Sequence, residues 1–268
     1  MENKIVFYKF HGAGNDFILI DNRNQEFINL EQIKFLCVRN FGVGADGLIL
    51  LENPKDEAND FAIRYFNADG REASLCGNGS RCAVAFAEKL SVITKSTSQF
   101  EAVDGVHHAV ISCTEKGHFW QVSLSMNAIN KIRKFRRGYF LDTGSPHYVR
   151  RVSNVKKYNV EKKGKKWRYN SYFPNGTNVD FYESNVQGLF VRTYERGVEG
   201  ETHSCGTGVT ATALVWAKTQ NLPDGAHSVK LFTNGGDFQV KFEKNGKEFK
   251  QIQLLGPVKF VFKGEIVI

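Results

Sequence analysis

Cysteine, proline, methionine and tryptophan are scarce in this chain of 268 residues, at 5, 5, 2 and 3. The cysteines (Cys37, Cys76, Cys82, Cys113 and Cys205) are an odd and sparse set, which argues against a disulfide framework and leaves them expected reduced. None stands in CxxC spacing and Cys76 and Cys82 are the only close pair, so no metal site is expected. Long apolar runs are missing too. Leu48 to Leu51 and Ala83 to Ala87 fall far short of the roughly 20 residues a spanning helix needs, which excludes a membrane helix. The start, Met1-Glu2-Asn3-Lys4-Ile5, lacks the basic segment and apolar core of a signal peptide, so a cytoplasmic protein is expected. Gly12-Ala13-Gly14 and Gly42-Val43-Gly44 lack the third glycine and the helix context of a dinucleotide-binding loop.

What remains is an ordinary globular composition, 41% hydrophobic and 24% charged, long enough for one large or two moderate domains. With 36 Lys and Arg against 28 Asp and Glu the formal charge is +8. Much of it is local, in Lys131 to Arg137 and in Lys156 to Lys166. Trp167 and Tyr169 beside the second cluster would suit a nucleic-acid surface, but no nucleic-acid module accompanies them. The expectation is a solvated basic loop and no nucleic acid. A basic field also suits a small anionic substrate.

The informative feature is internal repetition. Ile63-Arg64-Tyr65-Phe66-Asn67 and Val191-Arg192-Thr193-Tyr194-Glu195 are similar, and each leads to a Cys-Gly-x-Gly, at Cys76-Gly77-Asn78-Gly79 and Cys205-Gly206-Thr207-Gly208. Glu72 and Glu201 stand four residues before the two cysteines. Fainter matches precede these in the same order: Gly14-Asn15-Asp16-Phe17 against Gly144-Ser145-Pro146-His147-Tyr148, and Gly44-Ala45-Asp46 against Gly176-Thr177-Asn178. A period near half the chain reads as two related domains. Strand-forming runs dominate, at Ile5 to Phe10, Gly47 to Leu51, Phe61 to Phe66, His108 to Ser112, Trp120 to Leu124, Leu189 to Tyr194, Phe238 to Phe242 and Val258 to Phe262. After each Cys-Gly-x-Gly the residues turn small and apolar, which predicts one buried helix per half with a cysteine at its N-terminus.

A thiol of ordinary pKa near ~8.5 is only about 3% thiolate at pH 7. Helix N-terminal amides favour the thiolate, and glycines there let a carboxylate approach the backbone. If the halves face each other, two thiols meet across one cleft. Inverting a carbon that bears a proton needs a base on one face and an acid on the other, which a thiolate and a thiol supply. Helix ends would stabilise charge developing on the substrate carboxylate, and no cofactor is required in principle. Cys37, Cys82 and Cys113, in apolar settings, read as buried core residues.

With these residues in view the chain resembles the diaminopimelate epimerase family over essentially its full length. The motifs are Phe10-His11-Gly12-Ala13-Gly14-Asn15-Asp16-Phe17, Phe66-Asn67-Ala68-Asp69-Gly70, Leu75-Cys76-Gly77-Asn78-Gly79-Ser80-Arg81-Cys82, Tyr194-Glu195-Arg196-Gly197 and Ser204-Cys205-Gly206-Thr207-Gly208. The resemblance implies an α+β fold of two pseudo-symmetric strand-rich domains, each a β-barrel-like sheet around a central helix. The expected division is 1–119, with 256–268 returning to it, and 120–255. It also implies a cofactor-independent isomerase, often a homodimer, that interconverts LL- and meso-2,6-diaminopimelate for bacterial lysine and peptidoglycan synthesis.

By the same resemblance Cys76 and Cys205 look like the acid and base pair, and Gly77, Asn78, Gly206 and Thr207 like the cradle for the reacting carboxylate. Asn15, Asn67, Asn178, Glu195 and Arg196 look like substrate contacts, with Arg196 suited to the distal carboxylate and Glu195 to an ammonium. His147 and Glu195 are similar to residues that tune protonation. Two positions depart from the pattern: Ser145 stands where the family usually has asparagine, and Gly47 where some members have glutamine. A proline-racemase-like enzyme, a redox-responsive binding protein using Cys76 and Cys205, and a nucleic-acid binder are the competing readings. Glu195-Arg196 argues against the first, since a second zwitterionic head needs a charged clamp.

Overall fold

The computed structural model describes residues 4–24, 29–73, 76–115 and 117–267; the first three residues and Leu75, both used in reading the sequence, lie outside them. The chain divides into two compact units, Met1–Leu124 with Pro257–Ile268, and Ser125–Gly256. All eight β-rich runs lie in strands, and both apolar stretches after Cys-Gly-x-Gly are helices.

The first unit holds β1 (Lys4–Gly12), β2 (Asn15–Asp21), α1 (Leu30–Cys37), β3 (Gly47–Glu52), β4 (Phe61–Asn67), α2 (Gly77–Lys89), β5 (Thr97–Ala102), β6 (Gly105–Glu115), β7 (Phe119–Met126) and the C-terminal stretch of the last strand, Glu248–Val267. Numbered in chain order, that last strand is the sixteenth. Neighbour follows neighbour from β1 to β7, and the last strand pairs with both β7 and β1, which closes a ring of eight.

The second unit holds β8 (Arg133–Phe135), β9 (Gly138–Asp142), β10 (Pro146–Arg151), a 3-10 turn (Val155–Lys157), α3 (Val160–Arg168), β11 (Asn178–Asn185), β12 (Gly188–Glu195), β13 (Gly200–Thr202), α4 (Gly206–Thr219), β14 (Gly225–Phe232), β15 (Asp237–Asn245) and the start of β16. Its sheet runs β8, β9, β10, β11, β12, β14, β15, β16, with β13 on β12.

The two units share one wiring. An antiparallel pair, β1 with β2 or β9 with β10, crosses through helical turns to a parallel neighbour, β3 or β11. An antiparallel strand follows, β4 or β12, then the buried helix, then a second parallel neighbour, β5 or β14. Antiparallel strands complete each unit.

Both central helices are buried on nearly every side, because their small side chains let strands approach from all round. Around α2 the core gathers Phe10, Phe17, Ile49, Phe86, Phe100 and Trp120. Each such side chain contributes roughly 1.5–3 kcal/mol on burial. The small residues Ala83, Ala85 and Ala87 make room for rings such as Tyr8, whose centroid is 4.9 Å from that of Phe86.

The expected basic loop from 156 to 169 is instead the 3-10 turn and α3. Asn159 caps α3 by accepting from the Lys162 N–H at 2.9 Å, while Val160 and Gly164 face the core and the lysines stay in water. Trp167 packs on Tyr148 at 4.8 Å, and the Tyr169 hydroxyl donates to Glu199 at 2.7 Å, so both aromatics serve their own unit. Among the described residues no helix is long and apolar enough to cross a membrane. Cys113, expected in the core, is exposed beside a register shift in β6.

Candidate active site

Each cysteine of the repeated motif is the N-cap of its helix, in extended conformation and without a side-chain capping bond of its own. The first amides of each helix therefore start at the thiol. The glycines of the motif also answer close packing: a Cβ on Gly79 would lie 3.1 Å from Ile49 Cδ1, and one on Gly208 would run into the Asp180 carboxylate.

In the first unit Cys76 is half-buried, and its thiol donates to Asn15 Oδ1 at 3.7 Å. Asn78 Nδ2 donates to the same oxygen at 3.3 Å. The amide of Asn15 is held in that orientation because its Nδ2 donates to Asp46 at 2.6 Å, and a carboxylate can only accept. Asp16 beside it is salt-bridged to Lys9 and Arg39. Burial would push its carboxyl up, but hydrogen bonds from Arg39 and Lys9 hold it down at about 2. Arg81, wholly buried in α2, donates to Asn78 Oδ1; burial pushes its guanidinium down to about 10, and it lies within electrostatic reach of Cys76 and Cys82. Burial drives Cys37 up to about 12 and Cys82 higher still, which suits inert core thiols.

Cys205 is buried in the second unit, and its Sγ lies 3.4 Å from Thr207 Oγ1. Burial pushes its thiol well above the usual range, and the charges of Glu195 and Asp180 push it further. The helix terminus was expected to favour a thiolate here; desolvation outweighs it. His147, fully buried, bridges Asp180 Oδ2 at 2.7 Å from Nδ1 and Thr207 Oγ1 at 2.9 Å from Nε2. Glu195 Oε2 accepts from the Thr202 hydroxyl at 2.8 Å.

The other expected contacts are placed unevenly. Asn178 is taken up inside its unit: Nδ2 donates to Ser145 Oγ at 2.8 Å and to Pro146 O at 3.0 Å, and Oδ1 accepts the Arg196 N–H at 2.8 Å. It therefore fixes the start of the turn after β12, where Arg196 stands, and Ser145 has a defined partner. Asn67 is exposed at the end of β4, with Oδ1 accepting from Tyr65 at 2.9 Å. Arg196 is exposed and lines a cavity of about 650 Å³ with Arg133, Asp142, Tyr172 and Asn175. Gly47 has no room for a side chain, since a Cβ would lie 2.6 Å from Phe66 O and 2.7 Å from Tyr65 Cε2.

Sequence reading missed Asp46, Arg81, Asp180 and Thr193. Arg81 and Asp180 left a signal, each as a charge inside an otherwise apolar stretch, Cys82 to Ala87 following the first and Val179 and Phe181 flanking the second. Among the described residues no group of three or more His, Cys, Asp or Glu side chains could hold a metal ion.

Two units of common wiring, each wrapped round a helix capped by cysteine, form a fold also seen in solved structures that share little sequence with this chain. A PhzF-family phenazine biosynthesis protein from Bacillus anthracis superposes with a TM-score of 0.80 at 15% identity, over 99% of this chain and 100% of that one. A hydroxyproline epimerase from Agrobacterium vitis gives 0.74 at 15%, over 100% and 94%. Sequence narrows the class. The family model described as diaminopimelate epimerase matches residues 7–130 and 139–261. A diaminopimelate epimerase of Flavobacterium psychrophilum is 43% identical over 97% of this chain and 99% of its own, and one of Chlorobaculum tepidum 40% identical over 96% and 99%. The chain belongs to the diaminopimelate epimerase family.

Proposed function

We propose that this protein interconverts LL- and meso-2,6-diaminopimelate, with Cys76 and Cys205 as the acid and base that serve opposite faces of the reacting carbon. The observation that carries this reading is the repeated one: in both units a cysteine caps a buried helix whose first residues are Gly-x-Gly. The amides of Gly77, Asn78, Gly206 and Thr207 would hold the substrate carboxylate and stabilise the charge that builds as the proton leaves. One thiol would take the proton as thiolate while the other delivers a new one as thiol, and the reverse reaction exchanges the roles. Asn15 and Asn67 would contact the substrate, Glu195 its distal ammonium and Arg196 its distal carboxylate. Asn178 would act by holding the Arg196 backbone. His147 and Glu195 would tune the protonation of the site. The balance of a Glu and an Arg in sequence favours a substrate with a second zwitterionic head over a simple amino acid.

A homodimer in the cytoplasm, acting without cofactor, completes the proposal. The test is incubation of the purified protein with LL-diaminopimelate and no added cofactor. Appearance of the meso isomer supports the reading, and its absence at high enzyme concentration would sink it.

A further inference from the structure

The strand registers allow the two units to be compared position by position beneath their central helices. In the first, Phe17 pairs with Gly47 and Ile49 with Tyr65. In the second, His147 pairs with Asn178 and Asp180 with Thr193. Ile49 stands two residues beyond Gly47, as Asp180 stands two beyond Asn178. Phe17, Ile49 and Tyr65 therefore occupy the places that His147, Asp180 and Thr193 occupy in the other unit. The helix glycines report the same match. A Cβ on Gly79 would meet Ile49 Cδ1 at 3.1 Å and Phe17 Cε1 at 3.5 Å; one on Gly208 would meet the Asp180 carboxylate and, at 3.2 Å, His147 Cε1.

An apolar pair there is what a core asks for. The second unit instead buries an imidazole and a carboxylate completely, which is costly unless both are hydrogen-bonded. They are bonded, and in one line. Asp180 Oδ1 accepts from the Thr193 hydroxyl at 2.7 Å, and Oδ2 lies 2.7 Å from His147 Nδ1. A carboxylate only accepts, so Nδ1 carries the hydrogen. In the neutral ring Nε2 is then the acceptor, and Thr207, at 2.9 Å, donates its single hydroxyl proton to it. Asn178 Nδ2 lies 3.5 Å from Nε2, but its two hydrogens go to Ser145 Oγ and Pro146 O, which leaves Nε2 to Thr207. With its proton spent, Thr207 Oγ1 can only accept from the Cys205 thiol 3.4 Å away.

We propose that Asp180 is a positioning residue for Cys205: through His147 and the Thr207 hydroxyl it holds Cys205 as a hydrogen-bond donor, the acid form, at rest. The same chain can run the other way. A proton passing from Sγ to Thr207 Oγ1, while the Thr207 proton moves to Nε2, leaves a thiolate and an imidazolium with no net gain or loss of protons, and the Asp180 charge stabilises the imidazolium. At the matching places beneath α2 stand Phe17, Ile49 and Tyr65, so the His147–Asp180 pair belongs to the second unit. The titratable groups bearing on Cys205 are His147 from β10, Asp180 from β11 and Glu195 from β12. The other strands packed on α4, β9, β14 and β15, bury only apolar side chains and a glycine, and α4 carries no acidic residue in its first turn.

This inference rests on the proposed acid–base role of Cys205, yet its test needs no substrate. The rate of Cys205 alkylation by iodoacetamide is followed against pH in the full-length protein, with peptide mapping to separate it from Cys76. In Asp180→Asn the amide can donate to Nδ1, Nε2 then carries the hydrogen, and Thr207 is free to donate to the sulfur. The alkylation profile should move down by about one pH unit, or about tenfold faster labelling at a fixed pH below it. Removing a negative charge alone would act in the same direction, so the same change is made in Thr207→Val. The chain requires that Asp180→Asn then add much less, only what the lost charge does by itself. An equal acceleration in both backgrounds, or a lowered Tm with an unmoved profile, would overturn the proposal. Should Asp180→Asn not fold, Thr207→Ser should keep the wild-type profile and Thr207→Val shift it, and a valine variant with the wild-type profile would overturn it equally. Failure to epimerise diaminopimelate would instead count against the functional reading and leave this result standing.

Discussion

Cys76 and Cys205 cap matched helices, yet they differ in burial and in the charged groups near them. Beside Cys76 lies the buried guanidinium of Arg81, and the thiol, half-open to solvent, meets a neutral amide oxygen. Around Cys205 stand Glu195 and Asp180, and the thiol is closed off from water. A duplicated scaffold has thus kept its wiring and diverged in the electrostatics under the helix. The difference matters because a two-base reaction needs one thiolate and one thiol at the same moment, and two identical sites would leave that assignment to chance. The carboxylates near Cys205, together with its burial, favour its neutral, proton-bearing form.

The largest expected effect comes from removing either member of the pair. Cys76→Ala and Cys205→Ala should each reduce epimerisation by at least about a thousandfold in both directions, on the scale of general acid–base catalysis, with the fold retained by circular dichroism. A variant keeping a tenth of wild-type kcat, a barrier change of only about 1.4 kcal/mol, would break the two-base scheme. Next is Arg196→Lys, which loses the planar fork and should lower kcat/KM for diaminopimelate by roughly tenfold to a hundredfold, the worth of about 1.5–3 kcal/mol for a hydrogen bond to a charged group. An unchanged kcat/KM would take Arg196 out of the site.

The comparison is sharpened by labelling. Iodoacetamide at neutral pH should modify Cys76 before Cys205, because Cys205 is buried and driven towards its neutral form. Faster labelling of Cys205 would reverse the assignment of acid and base. The smallest effect concerns stability alone. Asp16, held at about 2 against an ordinary 3.8, binds its proton more weakly folded than unfolded. Its contribution is therefore present above pH 3.8 and lost as pH falls towards 2. Asp16→Asn should cost about 2 kcal/mol at pH 7 by denaturant unfolding, and the difference should close near pH 2. A difference independent of pH would remove the charge from the explanation.

Much of the architecture was legible because it is carried by local pattern. The paired Cys-Gly-x-Gly motifs and the small apolar residues after them announced two buried helices, and strand-forming runs announced eight of the sixteen described strands. Short or polar elements were not legible. Strands such as β8 and β13 are three residues long, and α3 reads as a charge run because only Val160 and Gly164 mark its buried side. The cysteines were recognisable from their repetition, but their inequality was not. His147 and Asp180 are 33 residues apart, and their meeting depends on the parallel register of β10 with β11. The expectation of two thiolate-prone cysteines failed at Cys205, since burial is set by tertiary packing that local sequence does not display.

The central claim is that two thiols, each with its own proton, act on one carbon. It is tested most directly by running the reaction in deuterated water and analysing the first turnovers in each direction. The proton removed stays on one sulfur, while the opposite sulfur, equilibrated with solvent, supplies the new one. The product isomer should therefore carry deuterium at the inverted carbon from the outset, and recovered starting isomer should at first carry little. Equal early labelling of both isomers would mean a single, solvent-exchanging base and would contradict the account.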